Sequence, residues 1–199
     1  VLHLQDRLHR EQHGVGAGTL LRKSVPSMIQ TLSPQLATTP DIALPLAARL
    51  LFYVPTLVQA RRDEAKRFAP ALNAVAAFGG ESGAKLLGGI LLHSEPPLIA
   101  ELVSILAANG QSGESIIVAA LSGGGNEGIA KRVAESLILL EAPTMSFVSR
   151  LVNDSAVQVR ECGVIVLSQG RSPAAASLEL LAARTKDSSM CIVVRAILG

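Results

Sequence analysis

Two histidines near the start of the sequence, His9 and His13, come nearest to the spacing of a metal site. Four residues apart on a helix, two imidazoles lie on one face and can share a Zn²⁺ ion. The segment HREQH differs from the HExxH pattern of metalloproteases, because Glu11 stands one position too late, and no third ligand is apparent nearby. We therefore interpret the pair as part of a solvated helix face and predict no metal; His3 and His93 fit ordinary surface or turn positions.

Two glycine clusters, at 14–18 and 123–128, are the segments that could cradle a phosphate group. Neither cluster is followed by Gly-Lys-Ser/Thr, and neither follows a β-strand pattern, so the P-loop and the dinucleotide fingerprint both fail on context. Both clusters are better interpreted as turns between helices. The sequence predicts no cofactor.

Nucleophilic and acid–base chemistry also lacks a convincing set of residues. No serine lies in a GxSxG motif, and neither Cys162 nor Cys191 has a histidine at a suggestive position. Four glutamates that could supply a carboxylate pair fall on separate helices or turns: Glu95, Glu101, Glu114 and Glu127. We therefore expect a protein that is not an enzyme.

The two cysteines both fall within apolar helical patterns, where a free cysteine behaves as a small hydrophobic residue. We expect Cys162 and Cys191 to be reduced and structural. Reduced cysteines are compatible with a cytoplasmic location, with the nucleus as the alternative.

The charge balance is nearly even, with 18 Lys and Arg against 16 Asp and Glu and a net charge of +2. Such a balance argues against a nucleic-acid groove and against an anionic membrane surface. The densest cluster spans residues 61–67, where mixed charges share one helix surface and predict a solvated face. The alternative is a basic edge that contacts a partner protein, formed by Arg61, Arg62, Lys66 and Arg67.

The longest nearly uncharged run covers residues 42–58. It is shorter than the ~20 residues that span a bilayer, and it contains Arg49 and two prolines. We predict a buried helix here and no membrane span.

Apolar residues recur with a helical period of 3.6 throughout, while strand-like alternation is scarce, so the sequence predicts an all-α fold. Proline or aspartate opens the segments and glycine closes them. After an irregular first pair within residues 1–38, with a second helix at 19–36, five regular pairs are predicted at 41–59 and 61–78, 81–92 and 96–109, 112–122 and 126–140, 143–153 and 155–169, and 173–186 and 188–199. A helix pair that recurs every 30 to 40 residues is typical of an α-solenoid.

The second helices of the last two pairs carry a family pattern. Residues 151–160, LVNDSAVQVR, resemble a HEAT repeat, in which an Asp stands at the turn between the two helices and a Val-Arg pair follows. Residues 186–199 are similar, although Asp187 precedes Arg195 by eight residues where Asp154 precedes Arg160 by six. The resemblance implies a right-handed α-α superhelix of HEAT/armadillo type, with five to six helix pairs and an internal Asp–Arg ladder: Asp154, Arg160, Asp187 and Arg195.

The residue types agree with a structural role for this ladder. Asp154 stands where an N-cap would begin the following helix. Arg160 lies in a helix whose other positions are largely apolar, so its guanidinium should find a carboxylate or carbonyl partner.

An α-solenoid presents a long surface in place of one deep pocket, so we expect a non-enzymatic scaffold or adaptor that binds other proteins. We also expect residues 1–199 to form a single repeat array that is a section of a longer solenoid and a subunit of a larger assembly. Three alternatives stay open: a tubulin-binding HEAT array of the TOG type, which the lack of Trp disfavours; a segment of a nuclear-transport receptor; and a HEAT-type pigment lyase subunit.

Overall fold

The computed structural model describes residues 15–124, 128–140, 143–170 and 175–198. Within these ranges every regular element is a helix and no strand is present, so the predicted all-α class is confirmed. The helices are α1 (Val15–Leu32), α2 (Gln35–Thr38), α3 (Pro40–Val58), α4 (Arg62–Leu91), α5 (Pro96–Ala108), α6 (Gly110–Ser122), α7 (Ile129–Leu139), α8 (Met145–Val152), α9 (Val157–Gln169), α10 (Ala175–Arg184) and α11 (Met190–Leu198).

The largest departure from the predicted bounds lies in the first pair. The single helix predicted at 19–36 is two helices, because α1 ends at Leu32 and α2 begins at Gln35. The hydroxyl of Ser33 donates to the carbonyl of Ile29 at 2.7 Å, and Pro34 follows it. The start of α1 at Val15 also places residues 15–18 inside a helix, so the turn predicted for the first glycine cluster is wrong there.

The helices predicted at 61–78 and 81–92 form one element, α4, with a sharp kink. Gly80 has φ 51° and ψ −132°, a conformation that a residue with a Cβ rarely adopts, and it divides α4 into a first arm (62–79) and a second arm (81–91). The predicted boundary at residues 79–80 is therefore confirmed as a break between two helical arms.

Each helix makes its main contacts with helices one to three places away in the chain. The second members of the predicted pairs touch in succession, since α5 contacts α7, α7 contacts α9 and α9 contacts α11. Buried aliphatic side chains and two phenylalanines, Phe68 and Phe147, fill the space between the helices. In α9 every residue from 162 to 167 is buried, which fits its position among α6, α7, α8, α10 and α11.

Helix α3 is less buried than predicted. Its inner face, with Ala43, Ala47, Leu51, Val54 and Val58, packs into the core, while Ile42 and Phe52 are 66% and 74% exposed. Among the described residues it is the one helix long and apolar enough to cross a membrane, and only about a third of it is buried inside the fold. The prediction of a buried helix therefore holds for one face only.

Candidate functional site

A buried ion pair between Arg160 and Asp187 links α9 to the turn that precedes α11. The guanidinium donates twice to the carboxylate, from Nε to Oδ2 at 2.8 Å and from Nη2 to Oδ1 at 3.0 Å. The side chains are 9% and 3% exposed. The two parallel hydrogen bonds hold the guanidinium and the carboxylate in a fixed relative orientation. Arginine can form this bidentate pair and lysine cannot.

The same guanidinium also ties down the turn before its own helix. Nη1 of Arg160 donates to the backbone carbonyls of Asp154 at 3.1 Å and Ser155 at 2.7 Å. One side chain thus joins the α8–α9 turn to the α10–α11 turn, and it meets the sequence expectation of a carboxylate or carbonyl partner. Four hydrogen bonds from the guanidinium, two of them to a charged carboxylate, offset the cost of burying the charge of Arg160.

Asp187 has further partners besides Arg160. Its Oδ1 accepts the backbone N–H of Ser189 at 2.9 Å, and Nη1 of Arg184 lies 3.5 Å from its Oδ2. The hydrogen bonds from Arg160 are the main reason that the pKa of Asp187 lies below its usual value, with the Ser189 amide and the nearby positive charges acting in the same direction. The carboxylate is therefore held in its charged form.

Asp154 holds the equivalent position in the turn before α9 but makes fewer side-chain contacts than Asp187. Its Oδ1 accepts the backbone N–H of Ala156 at 2.8 Å, two residues on, as Asp187 does with Ser189. Because α9 begins at Val157 with Ala156 as its N-cap residue, Asp154 is not the predicted N-cap. It forms no ion pair with another described residue, so the ladder has a rung at Asp187 and none at Asp154.

Arg195 lies outside the ladder. Both helices begin three residues after their Asp, so Val193, not Arg195, stands where Arg160 stands in α9. Arg195 instead places Nε 3.2 Å from Oε1 of Glu161 on α9. The two-residue offset in the sequence is the signal that separates the two arginines.

The cysteines differ from each other. Cys162 is buried, and burial raises the pKa of its thiol. Both cysteines are free, but Cys191 is exposed although it lies in an apolar helical pattern, and its Sγ lies 3.5 Å from Oε1 of Glu161.

An open cleft of about 480 Å³ lies between the second arm of α4 and α6. Its walls are made largely of small and hydroxyl residues, with an aliphatic floor at Ile116. At one end Lys85 and Glu81 form an exposed ion pair at 2.6 Å, and the charge and hydrogen bond of Lys85 lower the pKa of Glu81. The remaining lining residues are Gly88, Gly89, Leu92, Ser112, Ser115, Ala119 and Ala120.

Two adjacent glycines give this cleft its shape. A Cβ added to Gly88 would lie 2.5 Å from Cγ2 of Ile116, so the absence of a side chain allows α4 and α6 to approach. A Cβ added to Gly89 would meet nothing within 4 Å, because that position faces the open cleft. The cleft was not predicted from the sequence, although the Gly88-Gly89 pair inside an apolar helical pattern indicates a place where two helices approach closely.

The basic edge lies at the start of α4, and its four residues are exposed: Arg61, Arg62, Lys66 and Arg67. Nη1 of Arg67 contacts the carboxylate of Glu64 at 3.1 Å, one turn earlier. The backbone N–H of Arg61 donates to Val58 at 3.1 Å, which fixes the edge at the C-terminal end of α3.

The other sequence candidates are dispersed. His93 is exposed in the turn after α4, Glu95 is the N-cap residue of α5, and Glu114 is paired with Arg150 of α8. Among the described residues no group of three or more potential metal ligands occurs. Four candidates lie outside the described residues: His3, His9, His13 and Glu127.

Comparison of the chain with protein-family models, with curated proteins and with solved structures finds no match in any of the three. The likeness to HEAT repeats therefore stays a hypothesis based on residues 151–160 and 186–199.

Proposed function

We propose that this chain is a protein-interaction scaffold, built as an α-solenoid of HEAT/armadillo type. The observation that supports this most is the order of helix contacts: each helix packs on near neighbours in the chain, and α5, α7, α9 and α11 follow one another in contact. Stacked helix pairs of this kind expose a continuous surface, and solenoid proteins use such surfaces to bind other molecules. We also propose that the stacked helix pairs form a right-handed α-α superhelix.

The cleft between α4 and α6 is the proposed contact surface for a partner. Its small side chains allow a backbone to approach closely, and the Glu81–Lys85 pair can orient a polar group at one end. Gly88 and Ile116 form a tight contact beneath it, so the floor is preformed and little ordering would be needed on binding.

The test is capture of partner proteins by the full chain and by two leucine variants. Gly89→Leu fills the cleft without meeting another atom at its Cβ, so the variant should fold and lose the captured proteins. Ala77→Leu, on the exposed side of the first arm of α4, is the matched control and should retain them. Mass spectrometry with isotope labelling compares the three sets.

Two results would count against these proposals in different ways. Equal capture by Gly89→Leu and wild type would remove the cleft as the contact surface. A wild-type chain that enriches no protein over beads, tested in lysate from its own source, would contradict the scaffold.

A further inference from the structure

The outer face of α3 carries an exposed stripe with three apolar residues, and no described element covers it. Exposed residues recur at intervals of three and four along it: Ile42, Pro45, Arg49, Phe52 and Thr56. This spacing puts them on one side of the helix over roughly 21 Å. Ile42 and Phe52 project most strongly, at 66% and 74% exposed.

Positive charge lies within this stripe and at its C-terminal end, whereas Asp41 is at its N-terminal end, although the whole chain is nearly balanced. Residues 15–67 contain seven Lys or Arg and three Asp or Glu. Arg49 lies within the stripe, and Arg61 and Arg62 follow its C-terminal end. Nε of Arg22 donates to the carbonyl of Leu57 at 3.0 Å, which fixes a further cation at the same end of α3.

We propose that this face docks on the surface of an anionic lipid bilayer, with α3 lying in the plane of the membrane and not across it. Apolar and aromatic side chains enter the boundary between headgroups and acyl chains, and flanking cations bind the acidic headgroups. Arginine suits such a position because its aliphatic stem lies along apolar surface while its charge stays in water. The net charge of +2 for the whole chain does not indicate this site, because the excess of cations is concentrated in residues 15–67.

The inner face of α3 explains why docking, and not insertion, is proposed. Ala43, Ala47, Leu51 and Val54 are at most 1% exposed and pack into the helical core. Transfer of the whole helix into a bilayer would leave their packing partners exposed to water. The outer stripe can contact lipid with the fold intact.

Vesicle co-sedimentation of the full chain tests the proposal, using phosphatidylcholine alone and phosphatidylcholine with phosphatidylserine. We expect binding to the anionic vesicles, at least tenfold weaker binding to the neutral ones, and loss of binding at high salt. The double variant Arg61→Gln/Arg62→Gln should bind about tenfold more weakly or worse, since each cation near the surface contributes about fivefold.

The apolar half of the proposal needs its own variants. Ile42→Gln/Phe52→Gln should lose vesicle binding while its thermal unfolding midpoint stays close to that of wild type, because both side chains are exposed. Leu139→Gln is the matched control, since Leu139 is 79% exposed on the distant α7, and it should bind as wild type does.

Three outcomes would overturn the proposal. These are equal binding of neutral and anionic vesicles, unchanged binding of the Ile42→Gln/Phe52→Gln variant, and sedimentation velocity showing a wild-type dimer that this variant converts to monomer. The last result would assign the face to a second copy of the chain.

Discussion

The contact between the second arm of α4 and α6 depends on the missing side chain of Gly88, whereas the contact between α9 and the turn before α11 depends on the charge of Arg160. In the first, here called the glycine junction, Gly88 lies directly against Ile116. In the second, the arginine junction, Arg160 is held by Asp187 and by the carbonyls of its own turn. Both link a helix pair to the next one along the chain.

The difference lies in what each junction specifies. Close apolar packing is sensitive to volume and tolerates many aliphatic sequences, so it defines a distance between helices. A bidentate arginine requires one partner at one angle, so it defines the register between two turns. The two junctions therefore should respond differently to substitution and to pH.

Arg160→Ala should produce the largest effect, a loss of about 3 kcal/mol in the free energy of unfolding. The substitution leaves the carboxylate of Asp187, 3% exposed, without its bidentate partner, and Arg184 compensates only in part. Urea unfolding followed by circular dichroism measures it. Arg150→Ala, which breaks the more exposed pair with Glu114, is the control and should cost under about 1 kcal/mol. Equal losses in the two variants would contradict a special role for the buried pair.

Gly88→Ala should cost about 2 kcal/mol at the glycine junction, because the added methyl group would lie 2.5 Å from Ile116 and must push α4 and α6 apart. Combining it with Ile116→Leu, which keeps the side-chain volume but has no Cγ2 methyl group at its Cβ, should recover part of the loss. Additive destabilisation in the double variant would show that the two residues are not in contact.

Acid should weaken the arginine junction through Asp187. Its pKa is lower in the folded chain than in the unfolded one, so its contribution is complete above the unfolded value of about 3.9 and is lost as the pH falls below that value. Urea midpoints at pH 7 and pH 3 should therefore differ more for wild type than for Asp187→Asn. The glycine-junction variant Gly88→Ala should keep the wild-type difference in urea midpoint between pH 7 and pH 3. A smaller difference in that variant would contradict the claim that the two junctions respond differently to pH.

Gly89→Ala should give the smallest effect and the opposite sign, a gain of about 0.5–1 kcal/mol. Alanine favours the helix over the unfolded chain, and its Cβ meets no atom within 4 Å. Comparing the stability changes of Gly89→Ala and Gly88→Ala separates the effect of helix propensity from the effect of the contact between α4 and α6. A loss of stability in both variants would mean that the cleft is closed in solution.

Much of the helical layout followed from local signals. The pair Pro96-Pro97 begins α5 and Gly110 follows its end, so the predicted 96–109 differs from Pro96–Ala108 by one residue. A single proline was a less reliable signal for a helix boundary. Pro45, Pro55 and Pro70 lie inside helices, whereas Pro34 lies between two helices. Whether a proline ends a helix depends on tertiary packing that one sequence does not display.

Site residues were predictable where one residue carried an unmet requirement. Arg160 needed a partner, and Asp187 in the turn before α11 supplies it. Arg195 was placed wrongly, because its Asp precedes it by eight residues and not six, and that difference moves it out of the position that Arg160 holds in α9. The cleft and the outer face of α3 arise from neighbouring helices and from uneven burial, which periodicity alone does not reveal.

Hydrogen exchange of wild type and Arg160→Ala, followed by mass spectrometry, tests most directly whether successive helix pairs stack as an array. Since each helix packs mainly on near neighbours, the variant should lose amide protection in α9, α10 and α11 and keep it in α3, α4 and α5. An equal loss of protection from α3 to α11 would mean a single cooperative core, and it would contradict the array.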